Sequence, residues 1–181
     1  MINKLPNNTL TVQSLIGRNE ISFYLECLSS LIKYSNDKIN LVLHTVDKFS
    51  DREKNLLEKS LSNCTFEVLN AQKNAEKTLD YLCNYPNCQK FRKRSLWGVE
   101  FFDPLFARPD EHVSFYIDAD ILFFRPFEGL FNKEVVQNGA AFLRDTQWDA
   151  YSLRPWQLWG IEKKPAIADF FRVSICIKLV P

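Results

Sequence analysis

The sequence predicts a three-layer α/β/α sandwich built on a mainly parallel central sheet. Three observations carry this expectation. Short apolar runs of strand character alternate with helical patterns along the first two thirds of the chain, which is the signature of an α/β protein. One run, INLVLHTV at Ile39–Val46, is apolar without alternation, as a strand covered on both faces requires. The stretch FYIDADILFF, Phe115–Phe124, ends such a run with two aspartates, Asp118 and Asp120. In sheets of this kind ligands sit outside the carboxyl ends of the strands.

The elements follow in order. TLTVQSLI, Thr9–Ile16, reads as a first strand that Gly17 ends. A helix from about Asn19 to Tyr34 carries Ile21, Leu25, Leu28, Leu31 and Ile32 on one face. After the strand at Ile39–Val46, Ser50 has the N-cap residue type, and Glu53 completes a capping-box pattern for a helix through Leu61. CTFEVL, Cys64–Leu69, is a third strand, followed by helices at Ala75–Cys83 and Ser95–Phe106. HVSFYIDAD, His112–Asp120, is the fourth strand, and the final FFRVSICIKLVP reads as a core strand. No repeat, low-complexity tract or linker interrupts residues 1–181, so a single domain is expected.

Composition limits the function. With 181 residues, 46% of them hydrophobic, the chain can bury a real core. Its 23 Lys+Arg against 22 Asp+Glu leave a formal charge of +1, which offers a nucleic-acid backbone no general attraction. The N-terminal MINKLPNNTLTVQSL lacks an apolar signal core, and charges interrupt every window long enough to span a bilayer. A cytoplasmic protein with no membrane span is expected. Five scattered cysteines, Cys27, Cys64, Cys83, Cys88 and Cys176, fit reduced thiols better than a disulfide framework. The close pair Cys83 and Cys88 has no second pair at ligand spacing, which argues against zinc.

Asp118 and Asp120 need a physical reason. In an extended chain they project from the same side, with Cα atoms about 7 Å apart. At an effective dielectric near 20 their charges repel by about 2 kcal/mol. A divalent cation with oxygen ligands is the economical way to neutralise them. A simple solvated turn fits poorly, because Ile121, Leu122, Phe123 and Phe124 follow directly.

The arrangement resembles the nucleotide-sugar-dependent glycosyltransferases of the GT-A fold, whose Asp-X-Asp motif ends a strand in this way. The opening from LTVQSLIGRNE to NLLEKSL, with its strand, helix, strand and polar turn into a helix, is similar to theirs. SLWGVEFFDPLF followed by FYIDADILFFRPFEGLF resembles their centre. The likeness spans about residues 9–132, the part expected to bind nucleotide. The resemblance implies transfer of a sugar from a nucleotide-diphosphate donor to an acceptor, with Mn²⁺ or Mg²⁺ as cofactor.

Residue by residue, the resemblance makes Asp120 the direct metal ligand and gives Asp118 the ribose or a further place in the metal shell. Arg94 matches a basic residue placed within reach of the diphosphate, although Lys90, Arg92, Lys93 and Arg94 together also read as a solvated helix entry. Ser14 and Asp47 fall where the fold holds the nucleoside. Glu100 stands where relatives commonly show a lysine. His44 reads as a satisfied histidine at a strand end, and His112 receives no role. Trp148, Tyr151, Trp156 and Trp159 fit packing better than sugar stacking. No catalytic base is assigned.

Because the chain ends at Pro181, the resemblance implies an incomplete acceptor part, and a final strand without a covering helix implies self-association. Two rivals remain. Haloacid-dehalogenase-like phosphatases also use Asp-X-Asp, but on their first strand. A degenerate, non-catalytic module of the same fold would bind nucleotide or a partner protein without transferring sugar.

Overall fold

A computed structural model describes residues 9–107, 113–131, 141–144 and 173–179. The chain enters through β1 (Thr9–Leu15), turns at Ile16–Glu20 and continues into α1 (Ile21–Tyr34). β2 (Lys38–Thr45) and α2 (Asp51–Ser60) follow. The expected capping box is present: Ser50 Oγ accepts from the Glu53 amide at 3.4 Å, and the Glu53 carboxylate accepts from the Ser50 amide at 2.6 Å. Next come β3 (Thr65–Asn70), α3 (Ala75–Tyr81), α4 (Pro86–Arg94), α5 (Leu96–Ala107) and β4 (Val113–Ile117). β5 (Ala141–Arg144) and β6 (Val173–Leu179) complete the described elements.

These six strands form one sheet in the order β3-β2-β1-β4-β6-β5. Three pairings are parallel, β1 with β2 and β4, and β2 with β3. β6 runs antiparallel to both β4 and β5. The sheet is therefore four parallel strands extended by an antiparallel pair. From β1 the chain winds outward through β2 to β3, then crosses back to lay β4 on the other side of β1. Strand order reverses between β1 and β4, and a crevice opens at their carboxyl ends.

Alternation along the strands divides the core into two layers. Leu10, Val12, Ile39, Leu41, Leu43, Phe115 and Ile117 pack with Ile21, Leu25, Leu28 and Leu31 of α1 and with Leu57 of α2. Each such side chain contributes about 1.5–3 kcal/mol when fully buried. The opposite row of β1 meets α5, where the Gln13 side-chain amide donates to the carbonyl of Pro104 at 2.8 Å. Gln13 also meets His44 of β2, whose Nε2 lies 2.8 Å from the amide oxygen, so His44 is a buried, partnered histidine.

Three local expectations are corrected. β4 ends at Ile117, so Asp118 and Asp120 leave the sheet instead of continuing it. The Asp118 carbonyl accepts from the Ile121 amide at 3.3 Å in a turn, and the extended spacing does not apply. α4 was not expected, although Pro86 at its first turn is a helix-start signal. β5 was not expected either.

The basic run that ends α4 is not wholly solvated. Arg92 is buried: its Nε and an Nη meet the two carboxylate oxygens of Asp103 on α5 at 3.0 and 2.8 Å, and the same Nη donates to the Ala71 carbonyl at 2.7 Å. At the same junction Gly98 allows the two helices to touch, because a Cβ there would stand 2.5 Å from the Phe91 carbonyl oxygen. Among the described residues no helix is long and apolar enough to cross a membrane.

Candidate functional site

A cavity of about 510 Å³ occupies the crevice between the carboxyl ends of β1 and β4. Its floor is the loop Leu15–Glu20 that leaves β1, with Tyr24 of α1 above it. Val46 and Asp47, just past β2, form one side, and Leu96, Trp97 and Glu100 of α5 form the other. Tyr116, Asp118, Ala119 and Asp120 close it from β4.

The floor loop is held by a relay that begins in the α2 capping box. Bonds from the Ser50 hydroxyl and amide, helped by Arg18, hold the Glu53 carboxyl down at about 2, so it stays charged. Glu53 grips Arg18 Nε at 2.7 Å, while Asp47 Oδ2 accepts from the Arg18 amide at 2.8 Å. Asn70 at the end of β3 in turn donates to the Asp47 carbonyl at 3.0 Å. Three strand ends thus converge on one loop. No side chain caps α1, whose first turn borders the cavity.

The wall opposite is acidic and partly dry. Burial raises the Asp118 carboxyl to about 7, with the negative charges of Glu100 and Asp120 adding to the effect. Burial raises Glu100 as well, and its hydrogen bonds with Tyr116 and Asp118 pull in the other direction. The Tyr116 phenol is pushed well above its usual range, first by burial and then by Glu100 and Asp118. Glu100 and Asp118 are therefore bonded to each other within reach of the Tyr116 hydroxyl. Glu100 faces into the cavity.

The expected site residues divide. Asp47, Asp118 and Asp120 meet in the one cavity. Ser14 does not reach it: it is fully buried, and its hydroxyl donates to the Ile117 carbonyl at 2.6 Å, tying β1 to β4. Arg94, at the exposed end of α4, is not among the lining residues. His112, Trp148, Tyr151, Trp156 and Trp159 lie outside the described residues. Sequence reasoning missed Arg18, Tyr24, Trp97 and Tyr116. For Trp97 and Glu100 a signal existed, since residues three apart share a helix face.

The donor chemistry suits a hard cation. Asp118 and Asp120 supply carboxylate oxygens on a turn open to the cavity. Among the described residues no group of three or more His, Cys, Asp or Glu side chains is arranged to hold an ion. A cation held here would take its other ligands from water and from phosphate, as Mg²⁺ commonly does with one or two protein carboxylates.

The chain matches no protein-family model and no curated protein sequence. Solved structures do resemble it. The apo structure of the bifunctional glycosyltransferase WbbM superposes with a TM-score of 0.65 at 15% identity, covering 99% of this chain and 33% of that one. Mouse xyloside xylosyltransferase 1 gives 0.57 at 14% identity, covering 95% and 67%. Core-mannan synthase A (CmsA/Ktr4) from Aspergillus fumigatus, in its Mn/GDP form, gives 0.54 at 10% identity, covering 99% and 61%. The fold is that of GT-A-like glycosyltransferases. The chain spans a third of the length of WbbM and about two thirds of the other two.

Proposed function

We propose that this chain binds a nucleoside-diphosphate sugar in the cavity between β1 and β4 and serves a glycosyltransferase that passes the sugar to an acceptor. The observation that carries the reading is the placement of Asp118 and Asp120 on the turn leaving a central strand, inside a cavity at the switch point of the sheet. The nucleotide-binding part lies within residues 9–132. The Mn/GDP form of the similar core-mannan synthase supports the choice of ligand and metal.

Asp120 and Asp118 would hold Mn²⁺ or Mg²⁺, which supplies Lewis-acid stabilisation of charge on the departing diphosphate. The uncapped first turn of α1 favours phosphate oxygens through its backbone amides and dipole. Asp47 keeps acceptor capacity for a ribose hydroxyl beyond its bond from the Arg18 amide. α5 forms a wall of the cavity and the Ile16–Glu20 loop its floor.

A specific observation favours a second reading. Among the described lining residues Glu20, Asp47, Glu100, Asp118 and Asp120 face a single cation, Arg18, itself engaged by Glu53. That excess opposes a diphosphate unless metal is bound, and suits a module that binds nucleotide or a partner protein without transfer. Titration calorimetry with UDP and GDP, with Mn²⁺ and with chelator, tests the first reading. Binding should require Mn²⁺, and Asp120→Asn should remove most of the metal-dependent affinity. Equal affinity in chelator would refute it. Donor hydrolysis across a panel of nucleotide sugars separates transferase from binding module.

A further inference from the structure

We propose that Trp97 is the platform on which the sugar ring of the bound donor stacks, so that this residue, and not the metal site, selects for a sugar on the nucleotide. The inference deepens the nucleotide-sugar reading of the cavity and rests on it. Trp97 is 71% exposed although it lines a cavity wall, and its α5 neighbour Leu96 is exposed beside it. Among the described residues no ring pair or hydrogen bond engages the indole. Single exposed apolar residues are ordinary on a surface. What distinguishes Trp97 is its place.

Glu100 follows Trp97 by one helical turn on the same face of α5, and Asp118 is bonded to Glu100. The wall therefore presents a flat apolar face directly beside carboxyl oxygens. A ligand that satisfies both must carry an apolar face and a rim of hydrogen-bond donors. A pyranose does so, with C–H groups for the indole and hydroxyls for Glu100. A nucleobase stacks equally well, but it offers carboxyl oxygens only the N–H donors of one edge in the plane of its ring, whereas a pyranose carries hydroxyls around its whole rim. The sugar is also the part bonded to the terminal phosphate, and Asp118 and Asp120 lie in the same cavity of about 510 Å³.

The test uses the full chain with saturating Mn²⁺ and five probes: UDP, GDP, UDP-glucose, UDP-galactose and GDP-mannose. Wild type should bind at least one sugar nucleotide more tightly than its parent nucleotide. Trp97→Ala should weaken that sugar nucleotide about three- to tenfold, leave UDP and GDP within about twofold, and keep the wild-type melting temperature because the side chain is exposed. Trp97→Phe should retain most of the preference, which separates loss of a stacking face from general damage. Equal weakening of UDP or GDP assigns the indole to the base and overturns the proposal. So does an unchanged sugar preference in Trp97→Ala, or a wild type that prefers no sugar nucleotide to its parent. Failure of UDP and GDP to bind with Mn²⁺ overturns instead the reading of the cavity on which it rests.

Discussion

Replacing Arg92 with methionine removes the guanidinium that clamps α4 to α5 and leaves Asp103, only 3% exposed, without its cation. The pair closes at 2.8 Å, where two unit charges at an effective dielectric of 20 attract by about 6 kcal/mol before desolvation is counted. Desolvation offsets most of that, but removing one partner exposes the whole penalty on the other, about 3–5 kcal/mol. The variant also strips the Ala71 carbonyl of its 2.7 Å donor. Thr78 remains bonded to Asp103 and recovers part. A net loss of about 3 kcal/mol or more is expected, a large share of an ordinary domain's stability.

The assay is urea unfolding followed by circular dichroism, with Asp103→Leu and the double variant completing a cycle. The double variant should regain most of the loss, because apolar side chains replace a buried pair at little cost. Burial already raises Asp103 above its ordinary value, and loss of Arg92 raises it further. The folded variant then binds the proton more tightly than the unfolded chain, so its deficit should shrink as pH is lowered toward the ordinary carboxylate range. A loss under about 1 kcal/mol with an unchanged denaturant slope, or single variants whose effects simply add, would refute the buried pair.

Other outcomes follow from the same geometry. Gly98→Ala should lower stability by about 1–3 kcal/mol in thermal melts, because its Cβ would meet the backbone of Phe91 and Arg92 rather than a movable side chain. Ser14→Ala should cost about 1 kcal/mol through the lost bond to Ile117 yet leave Mn²⁺-dependent UDP affinity unchanged by calorimetry, since Ser14 does not face the cavity. Asp118, raised to about 7, holds its proton more tightly folded than unfolded. Its contribution to stability is therefore complete below the ordinary carboxylate range and lost as pH rises to about 7. Glu100→Gln removes one of the charges responsible, so urea midpoints measured across that window should show a flatter decline with pH than wild type.

The elements that could be read from the chain are those whose energetics are local. The apolar run of β2, the one-faced helix α1 and the Ser50–Glu53 box depend on residues within a turn or two of one another, and each stands as read. The same holds for the Asp pair at a strand's carboxyl end, which needed only the strand to be recognised. Contacts across the chain could not be read this way. Ser14 finds its acceptor 103 positions away, and Gln13 finds its own 91 away, because strand order places β4 beside β1. A strand-end hydroxyl looks alike whether it meets a ligand or a neighbouring carbonyl. In KFRKR, helix phase and the packing of α4 on α5 decided that Arg92 is buried against Asp103 while Arg94 stays in solvent. The side of α5 that turned inward brought Glu100 against Asp118 and put Trp97 on the cavity wall. Composition and pattern determined the layers and the ends of the strands; only the folded packing determined which charges share the site.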